Sequence, residues 1–397
     1  MPRGNSMRAG SRRRFLRMAA MAAGGVVLGP AARRAEAIAE AVTRGNPAET
    51  RTLGKTGLRV MTVGVGAMTT READVIRYAV DHGATYVDTA DCYMGGENER
   101  IVGRALRGVR HKVVLASKVH IMDVPGMIRS VENSLRSLQV DSIDIMQLHG
   151  ISSEGEVTDG RAREALQKLI DQGKIRVPGV TTHSGQETVL RAVQKHGFYK
   201  TVLVAYNFRS DTGITTSIKT ALGLGKGLSA AIADVAASGI GVIAMKTQAG
   251  GYPVGDGGPS PHQAALAWVL ANPGVAAAIP SMVSYAQVDE NLKASGMRLS
   301  WRGIKTLARY EEVIGDRHCG LCGECSGRCP NGVDVAGVLR SLTYLEGYGR
   351  KALARDSYRG LGDAGAAACV SCTGCVVPCR LGLAVGRLTG RAHTLLA

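Results

Sequence analysis

Large aromatic residues are scarce: the 397 residues include three Phe and two Trp. Ala, Val, Leu and Ile must therefore fill the core, and an apolar share of 45 % is enough for a sizeable one. No G-x-G-x-x-G follows an early strand pattern, which removes the usual sign of an open dinucleotide-binding sheet. No flavin motif is found. Outside the N-terminus no basic run is interleaved with aromatics, so the net charge of +16 does not indicate a nucleic-acid-binding face. Eight Arg against one acid in residues 1–37 supply +7 of that charge and leave +9 for the rest. What the chain does have in quantity is glycine, 52 residues, which suits many tight turns between short elements.

Residues 11–17 read Ser-Arg-Arg-Arg-Phe-Leu-Arg. An apolar stretch follows from Met18 to Leu28, and Ala35-Glu36-Ala37 offers a small-residue cleavage site. The stretch is shorter than the about 20 residues of an ordinary membrane-spanning helix. The order resembles a twin-arginine export signal with Arg12 and Arg13 as the pair. That resemblance implies a signal peptide over 1–37, the twin-arginine machinery as a partner, and export of an already folded chain to the periplasm or another extracytoplasmic space. Left uncleaved, the segment would be a membrane anchor instead.

From residue 51 the pattern changes. Residues 51–60 predict a small hairpin turning at Gly54 and Gly57. Short β-branched runs then alternate with helical patterns. The strands are expected at 61–65, 85–88, 112–116, 142–148, 176–181, 201–205, 240–245 and 276–279. The helices are expected at 71–82, 97–107, 124–138, 161–172, 185–196, 228–238, 261–271 and 284–294. Strict alternation argues for a parallel sheet. Eight units can close as a barrel or stay open as a doubly wound sheet. The missing glycine fingerprint favours an α/β fold of the (β/α)8 TIM-barrel type over residues 51–305.

Four polar residues fall at or just beyond the carboxyl ends of these strands: Asp88, Tyr93, Lys118 and His149. In a barrel, such positions share one rim. Residues 86–93, Tyr-Val-Asp-Thr-Ala-Asp-Cys-Tyr, are followed by Gly-Glu-Asn-Glu-Arg-Ile-Val-Gly-Arg-Ala-Leu at 96–106. Ser117-Lys118, Leu148-His149, the stretch Ala264, Leu266, Trp268, Val269, and Ile279-Pro280 come later. Together these resemble the aldo-keto reductase family over about 51–295. The resemblance implies a catalytic tetrad of Asp88, Tyr93, Lys118 and His149. Tyr93 would be general acid in reduction and general base in oxidation. Lys118 would lower the phenol's pKa from near 10. Asp88 would hold Lys118, and His149 would orient the carbonyl. His120 and His183, also near strand ends, read as surface-loop histidines. Cys92 reads as a small filler, since no base is assigned to it.

The same resemblance implies a nicotinamide dinucleotide at this rim. Thr181 and Thr182 stand where the family has Ser-Asn at the carboxamide, and Met245 where many members stack a Tyr. Glu290 and Asn291 match the adenine-contacting pair. Ser281 and Gln287 replace the Lys and Arg that often hold the 2′-phosphate, which removes the strong charge-assisted bonds to it. NAD and NADP both remain open.

Eight of the nine cysteines form two runs of C-x2-C-x2-C-x3-C: Cys319, Cys322, Cys325, Cys329 and Cys369, Cys372, Cys375, Cys379. This spacing resembles bacterial two-cluster ferredoxins. It implies two [4Fe–4S] clusters, with the fourth Cys of each run crossing to the other cluster. Cys319, Cys322, Cys325 and Cys379 would hold one; Cys369, Cys372, Cys375 and Cys329 the other. An apolar helical pattern near 333–355 favours a small α-helical ferredoxin-like domain over 315–385. Zinc knuckles and disulfides are the rival uses of such cysteines.

Two functions follow. One is hydride exchange between a nicotinamide and a small carbonyl or alcohol, coupled to or stabilised by the clusters. Nicotinamide moves two electrons and each cluster one, so a redox partner protein would supply the flavin-type splitter. The other is a catalytically silent barrel serving as an electron-transfer or regulatory subunit.

Overall fold

Leu53, Leu58 and Val60 are buried apolar residues in a segment too short for a helix, and they join the apolar cluster inside the barrel. Strands β1 (Thr50–Thr52) and β2 (Arg59–Met61) pair antiparallel as the expected hairpin, with Thr50 opposite Met61. Gly54 takes φ +53°, and a Cβ there would lie 2.3 Å from the Gly239 carbonyl oxygen. Glycine is thus required for the hairpin to lie so close. The computed structural model describes residues 49–210, 227–252 and 260–397. The expected export signal at 1–37 lies outside the described residues.

Eight parallel strands follow: β3 (Val65–Gly66), β4 (Tyr86–Asp88), β5 (Val114–Val119), β6 (Ile143–Leu148), β7 (Ile175–Thr182), β8 (Thr201–Ala205), β9 (Gly241–Met245) and β10 (Val275–Ala278). They neighbour one another in chain order. Val63 bridges Ala278 and Gly66 bridges Ser281, both parallel, so β10 meets the start of the sheet and the ring closes. A Cβ on Gly66 would lie 2.7 Å from the Ile279 oxygen, which makes the closing seam depend on its absence. The fold is therefore a (β/α)8 barrel and not an open sheet.

The eight expected helices lie at Ala73–Asp81, Glu97–Leu106, Val124–Leu138, Gly160–Asp171, Gln186–His196, Leu228–Ala237, Pro261–Ala271 and Tyr285–Leu292. Local chemistry sets several starts. The Asp123 carboxylate accepts from Gly126 N, and Ser260 forms a capping box with Gln263 ahead of Pro261. Two expectations shift. The first strand, expected at 61–65, is split: Met61 ends the hairpin, and the barrel strand begins only at Val65. One more helix, Trp301–Ile314, carries the chain past the expected barrel end at 305. Its buried residues Leu307, Tyr310 and Ile314 recur at helical spacing and face the barrel core cluster.

Alternation along the strands divides the core in two. Tyr86, Val114, Ala116, Ile145, Leu203, Ile243 and Met245 point inward, while Val87, Leu115, Met146, Val202 and Val242 pack under the helices. Continuing the inward period of two from Tyr86 reaches Asp88. From Ala116 it reaches Lys118, and from Ile145 it reaches Gln147 and His149.

Beyond residue 315 three helices, Val335–Glu346, Lys351–Arg359 and Val385–Leu396, share their own apolar cluster of Val338, Leu342, Ala354, Tyr358, Leu388 and Leu396. The single helical pattern expected at 333–355 is broken after Glu346. There Gly251 N donates to Gly347 O at 2.9 Å, and Gly349 takes φ +64°. The helix stops where a barrel loop captures its end.

Candidate active site

The inward positions at the carboxyl ends of β4, β5 and β6 bring the expected residues together. Lys118 Nζ donates to Asp88 Oδ1 and, at 2.5 Å, to Thr89 O. Both side chains are almost wholly shielded, 1 % and 3 % exposed. Lys118 Nζ stands 4.7 Å from the centre of the Tyr93 ring. The Tyr93 and His149 rings meet edge to face at 5.8 Å. All four sequence-predicted tetrad residues therefore share one rim.

The electrostatics differ from expectation at the phenol. Burial pushes Tyr93 up to about 12, and the Lys118 cation only partly offsets it while Asp88 adds to it. Tyr93 is thus held protonated, not acidified, because desolvation of a phenolate outweighs one cation already committed to a carboxylate. Burial alone would pull Lys118 down, but Asp88 and Tyr93 more than reverse that and keep it a cation. Burial, then the Lys118 charge, holds His149 well below the ordinary histidine value, so its ring is neutral and can both donate and accept.

Other residues at this rim carried little sequence signal. Gln147, wholly buried, donates to Asp88 Oδ2 at 3.0 Å and so fixes the carboxylate from its second side. Cys92, read as a filler, places its Sγ 3.5 Å from His149 Nδ1. Burial, then Asp91, pushes its thiol up to about 11. His120 stacks on His149 with ring centres 4.7 Å apart. His183 is not a free surface histidine: its Nδ1 is buried without a partner, and burial followed by the Lys246 and Arg340 charges keeps it neutral.

The residues assigned to a nicotinamide divide. Thr181 accepts at its Oγ1 from Gly150 N at 2.8 Å, and Thr182 donates to Ser184 O at 2.8 Å. Thr182 thereby uses its hydroxyl proton within the chain, whereas the Thr181 hydroxyl keeps its proton to donate. Met245 lies inside the barrel mouth and Ser281 on the closing seam. Gln287, Glu290 and Asn291 share the helix Tyr285–Leu292. Gln287 Oε1 accepts from Val283 N at 2.8 Å, and Asn291 Oδ1 accepts from Gln248 Nε2 at 2.6 Å.

The tail is seated on this mouth. Leu321, between two cysteines, belongs to the same interior cluster as Met245, Ala205 and Ile279. Gln186 Nε2 donates to Leu321 O, and Lys246 Nζ donates to the Tyr344 hydroxyl at 2.9 Å. The buried Arg209 guanidinium donates to Ile314 O at 3.1 Å and Gly315 O at 2.9 Å. Burial would raise Tyr344, but Lys246 and Arg340 bring it below the ordinary phenol value. The phenol acidified by an ammonium is thus one from the tail. Met94, Lys246, Ala249 and Leu321 all have positive φ of 50–58°. Such backbone is costly for residues with a side chain and collects at functional sites.

Within the tail, Cys319, Cys322, Cys325 and Cys379 neighbour one another electrostatically. Burial first, and then the other three, push the Cys319 thiol up to about 12. Leu321 N donates to Cys319 Sγ at 3.4 Å. Cys329 and Cys369 pack on the tail's apolar cluster, while Cys372 and Cys375 are exposed. No disulfide joins any of the nine cysteines.

Known proteins resemble this arrangement over the barrel. Residues 61–218 match the model of the aldo/keto reductase family. Methylglyoxal reductase YeaE of Escherichia coli (strain K12) is 40 % identical over 112 residues, 28 % of this chain and 38 % of that protein. Aldo-keto reductase YhdN of Bacillus subtilis (strain 168) is 37 % identical over 133 residues, 30 % of this chain and 40 % of that protein. The chain thus spans about two fifths of the length of these curated relatives. A crystal structure of an aldo-keto reductase from Klebsiella pneumoniae in complex with NADPH superposes with a TM-score of 0.52 at 30 % identity, covering 67 % of this chain and 95 % of that one. With nearly the whole of that enzyme's length matched, this chain belongs to the aldo/keto reductase family.

Proposed function

We propose that this chain reduces a small carbonyl compound to the alcohol, with a nicotinamide dinucleotide as hydride source. The convergence of Asp88, Tyr93, Lys118 and His149 on one rim carries this reading. Tyr93 Oη, kept protonated by burial, holds the proton that a carbonyl oxygen needs as it gains negative charge. Lys118, pinned by the Asp88 carboxylate that Gln147 braces, is the cation beside the phenolate left behind. Neutral His149 donates a hydrogen bond that aims the carbonyl. When bound, the nicotinamide supplies the hydride.

The barrel residues fit such a cofactor. His183 Nδ1 and Thr247 Oγ1 are buried at the mouth without partners, the kind of polar atoms a ligand satisfies. Glu290, Asn291, Ser281 and Gln287 would meet the nucleotide end, and Thr181, Thr182 and Met245 the nicotinamide end. The structure of the relative from Klebsiella pneumoniae in complex with NADPH supports NADP; neither Ser281 nor Gln287 offers a cation to a 2′-phosphate. Leu321 packs in one cluster with Met245. A nicotinamide seated on Met245 and the Leu321 loop therefore compete for one surface.

The tail cysteines fit iron–sulfur ligation. The mutual nearness of Cys319, Cys322, Cys325 and Cys379, with an N–H donated to Cys319 Sγ, supports the crossed set for one [4Fe–4S] cluster. Cys369, Cys372, Cys375 and Cys329 would hold the other. Bound, such clusters carry single electrons, and a redox partner protein would link them to two-electron chemistry. Arg12 and Arg13 within residues 1–37 support export through the twin-arginine machinery to an extracytoplasmic space.

The entry of Leu321 into the interior cluster that holds Met245 favours a second reading, a silent barrel serving an electron-transfer or regulatory role. Carbonyl reduction by anaerobically purified protein separates the two. Under the first reading, Tyr93→Phe lowers kcat/KM on a responsive aldehyde by about 10²–10⁴-fold. No turnover across a broad aldehyde panel, or turnover that survives this change, overturns it.

A further inference from the structure

We propose that Asp91, Cys92, His120 and His149 form a site for one divalent cation of the zinc class at the barrel mouth. One ligand atom from each residue lies within 4.8 Å of those of the other three. Cys92 Sγ and His149 Nδ1 are already 3.5 Å apart. Ligand atoms around tetrahedral zinc stand about 3.3–3.8 Å from one another, given bonds of about 2.0–2.3 Å. The set therefore closes on an ion with side-chain adjustments of about an ångström. The four residues come from the segments that follow β4, β5 and β6, so the barrel closure that gathers the tetrad gathers them too.

Three further observations point to a cation. Asp91 Oδ1 is buried and has no hydrogen-bond partner. Its other oxygen accepts from Ser130 Oγ at 2.9 Å, so the carboxylate is aimed and one acceptor is left unused. The charges also balance: a carboxylate, a thiolate and two neutral imidazoles neutralise a dication. Lys118, whose charge acts on Cys92 and His149, is already paired with Asp88. The donor set of one sulfur, two nitrogens and one oxygen suits zinc and disfavours calcium or magnesium, which take oxygen ligands.

Four protein ligands make a closed site, so the ion positions and does not react. With Nδ1 taken by the metal, His149 keeps its proton on Nε2. This last step rests on the role proposed above for His149, as the hydrogen bond that aims the carbonyl. Asp91, Cys92 and His120 are then positioning residues.

Metal analysis of the anaerobically purified, cluster-bearing full chain tests the site without any assay of turnover. Iron and zinc are counted in the wild type, Cys92→Ser and His120→Ala, and zinc is then exchanged for cobalt(II). The expected result is one zinc per chain in the wild type. Zinc binding weakens by about tenfold or more in each variant at unchanged iron content, and the thiolate-to-cobalt absorption disappears in Cys92→Ser. The unchanged iron separates this site from the tail cysteines. Absence of any metal besides iron after zinc is supplied overturns the proposal, as does equal zinc binding and an equal cobalt spectrum in all three proteins. Should Cys92→Ser fail to fold, the exposed His120 carries the test. Failure of the Tyr93→Phe experiment would leave these counts untouched.

Discussion

Leu321 and Met245 pack in one apolar cluster inside the barrel mouth, although 76 positions separate them in the chain. A residue of the cysteine tail thus joins the interior cluster that contains the barrel position assigned to the nicotinamide ring. The cavity left among Lys246, His318, Cys319, Leu321 and Tyr344 is about 10 Å³, room for about one water. Leu321 holds this place with φ +58°, a conformation that a residue with a side chain adopts at a cost.

Leu321→Gly should therefore tighten nicotinamide binding. The substitution removes an apolar side chain from the cluster at the mouth and suits the backbone. A roughly tenfold fall in Kd is expected by fluorescence titration with NADPH, equivalent to about 1.4 kcal/mol. An unchanged Kd would show that the loop does not compete.

Lys118→Met should be strongly destabilising. It leaves the Asp88 carboxylate buried without its cation, and breaking a buried pair typically costs about 3–5 kcal/mol. Adding Asp88→Asn should restore much of that loss, while neither variant reduces an aldehyde. Chemical denaturation of the three proteins measures it, and a double variant no more stable than Lys118→Met refutes it.

Acid should loosen the mouth through His183. Its folded pKa lies well below the ordinary value, from burial and then from the Lys246 and Arg340 charges. The unfolded chain therefore binds the proton first as pH falls. The stability that neutral His183 contributes is complete above about pH 6.5 and is lost progressively below it, towards the folded pKa. The drop in Tm between pH 7.5 and 5 should be smaller in His183→Gln than in the wild type. Identical drops would exclude His183 as a source.

Cys379→Ser tests the crossed ligand set. The thiol belongs to the second cysteine run yet neighbours Cys319, Cys322 and Cys325 of the first. About half the iron should be lost, together with the seating of Leu321, so that nicotinamide binding changes in step. Full iron content in this variant would remove Cys379 from the ligands.

Much of the fold was legible because the barrel is built from local periodicities. Short β-branched runs marked β4 to β10 within a few residues, and the helix Val124–Leu138 falls at the bounds its helical pattern gave. Asp88, Lys118 and His149 could be assigned to one rim because each stands at or just beyond the end of a strand, and strand ends of a parallel barrel share a face. The split of the first strand at Gly64 was not legible, since the register there is set by β10 across the closing seam.

The sequence by itself determined the alternation of elements, the strand-end positions of Asp88, Lys118 and His149 and the two cysteine runs, all properties of neighbours in the chain. Tertiary structure alone decided that Tyr93 stays protonated, that Gln147 braces Asp88, that Cys92 faces His149, and that Leu321 fills the mouth. Desolvation, long-range hydrogen bonds and packing between distant segments depend on what surrounds a residue in space, and residue order does not contain that until the chain has closed on itself.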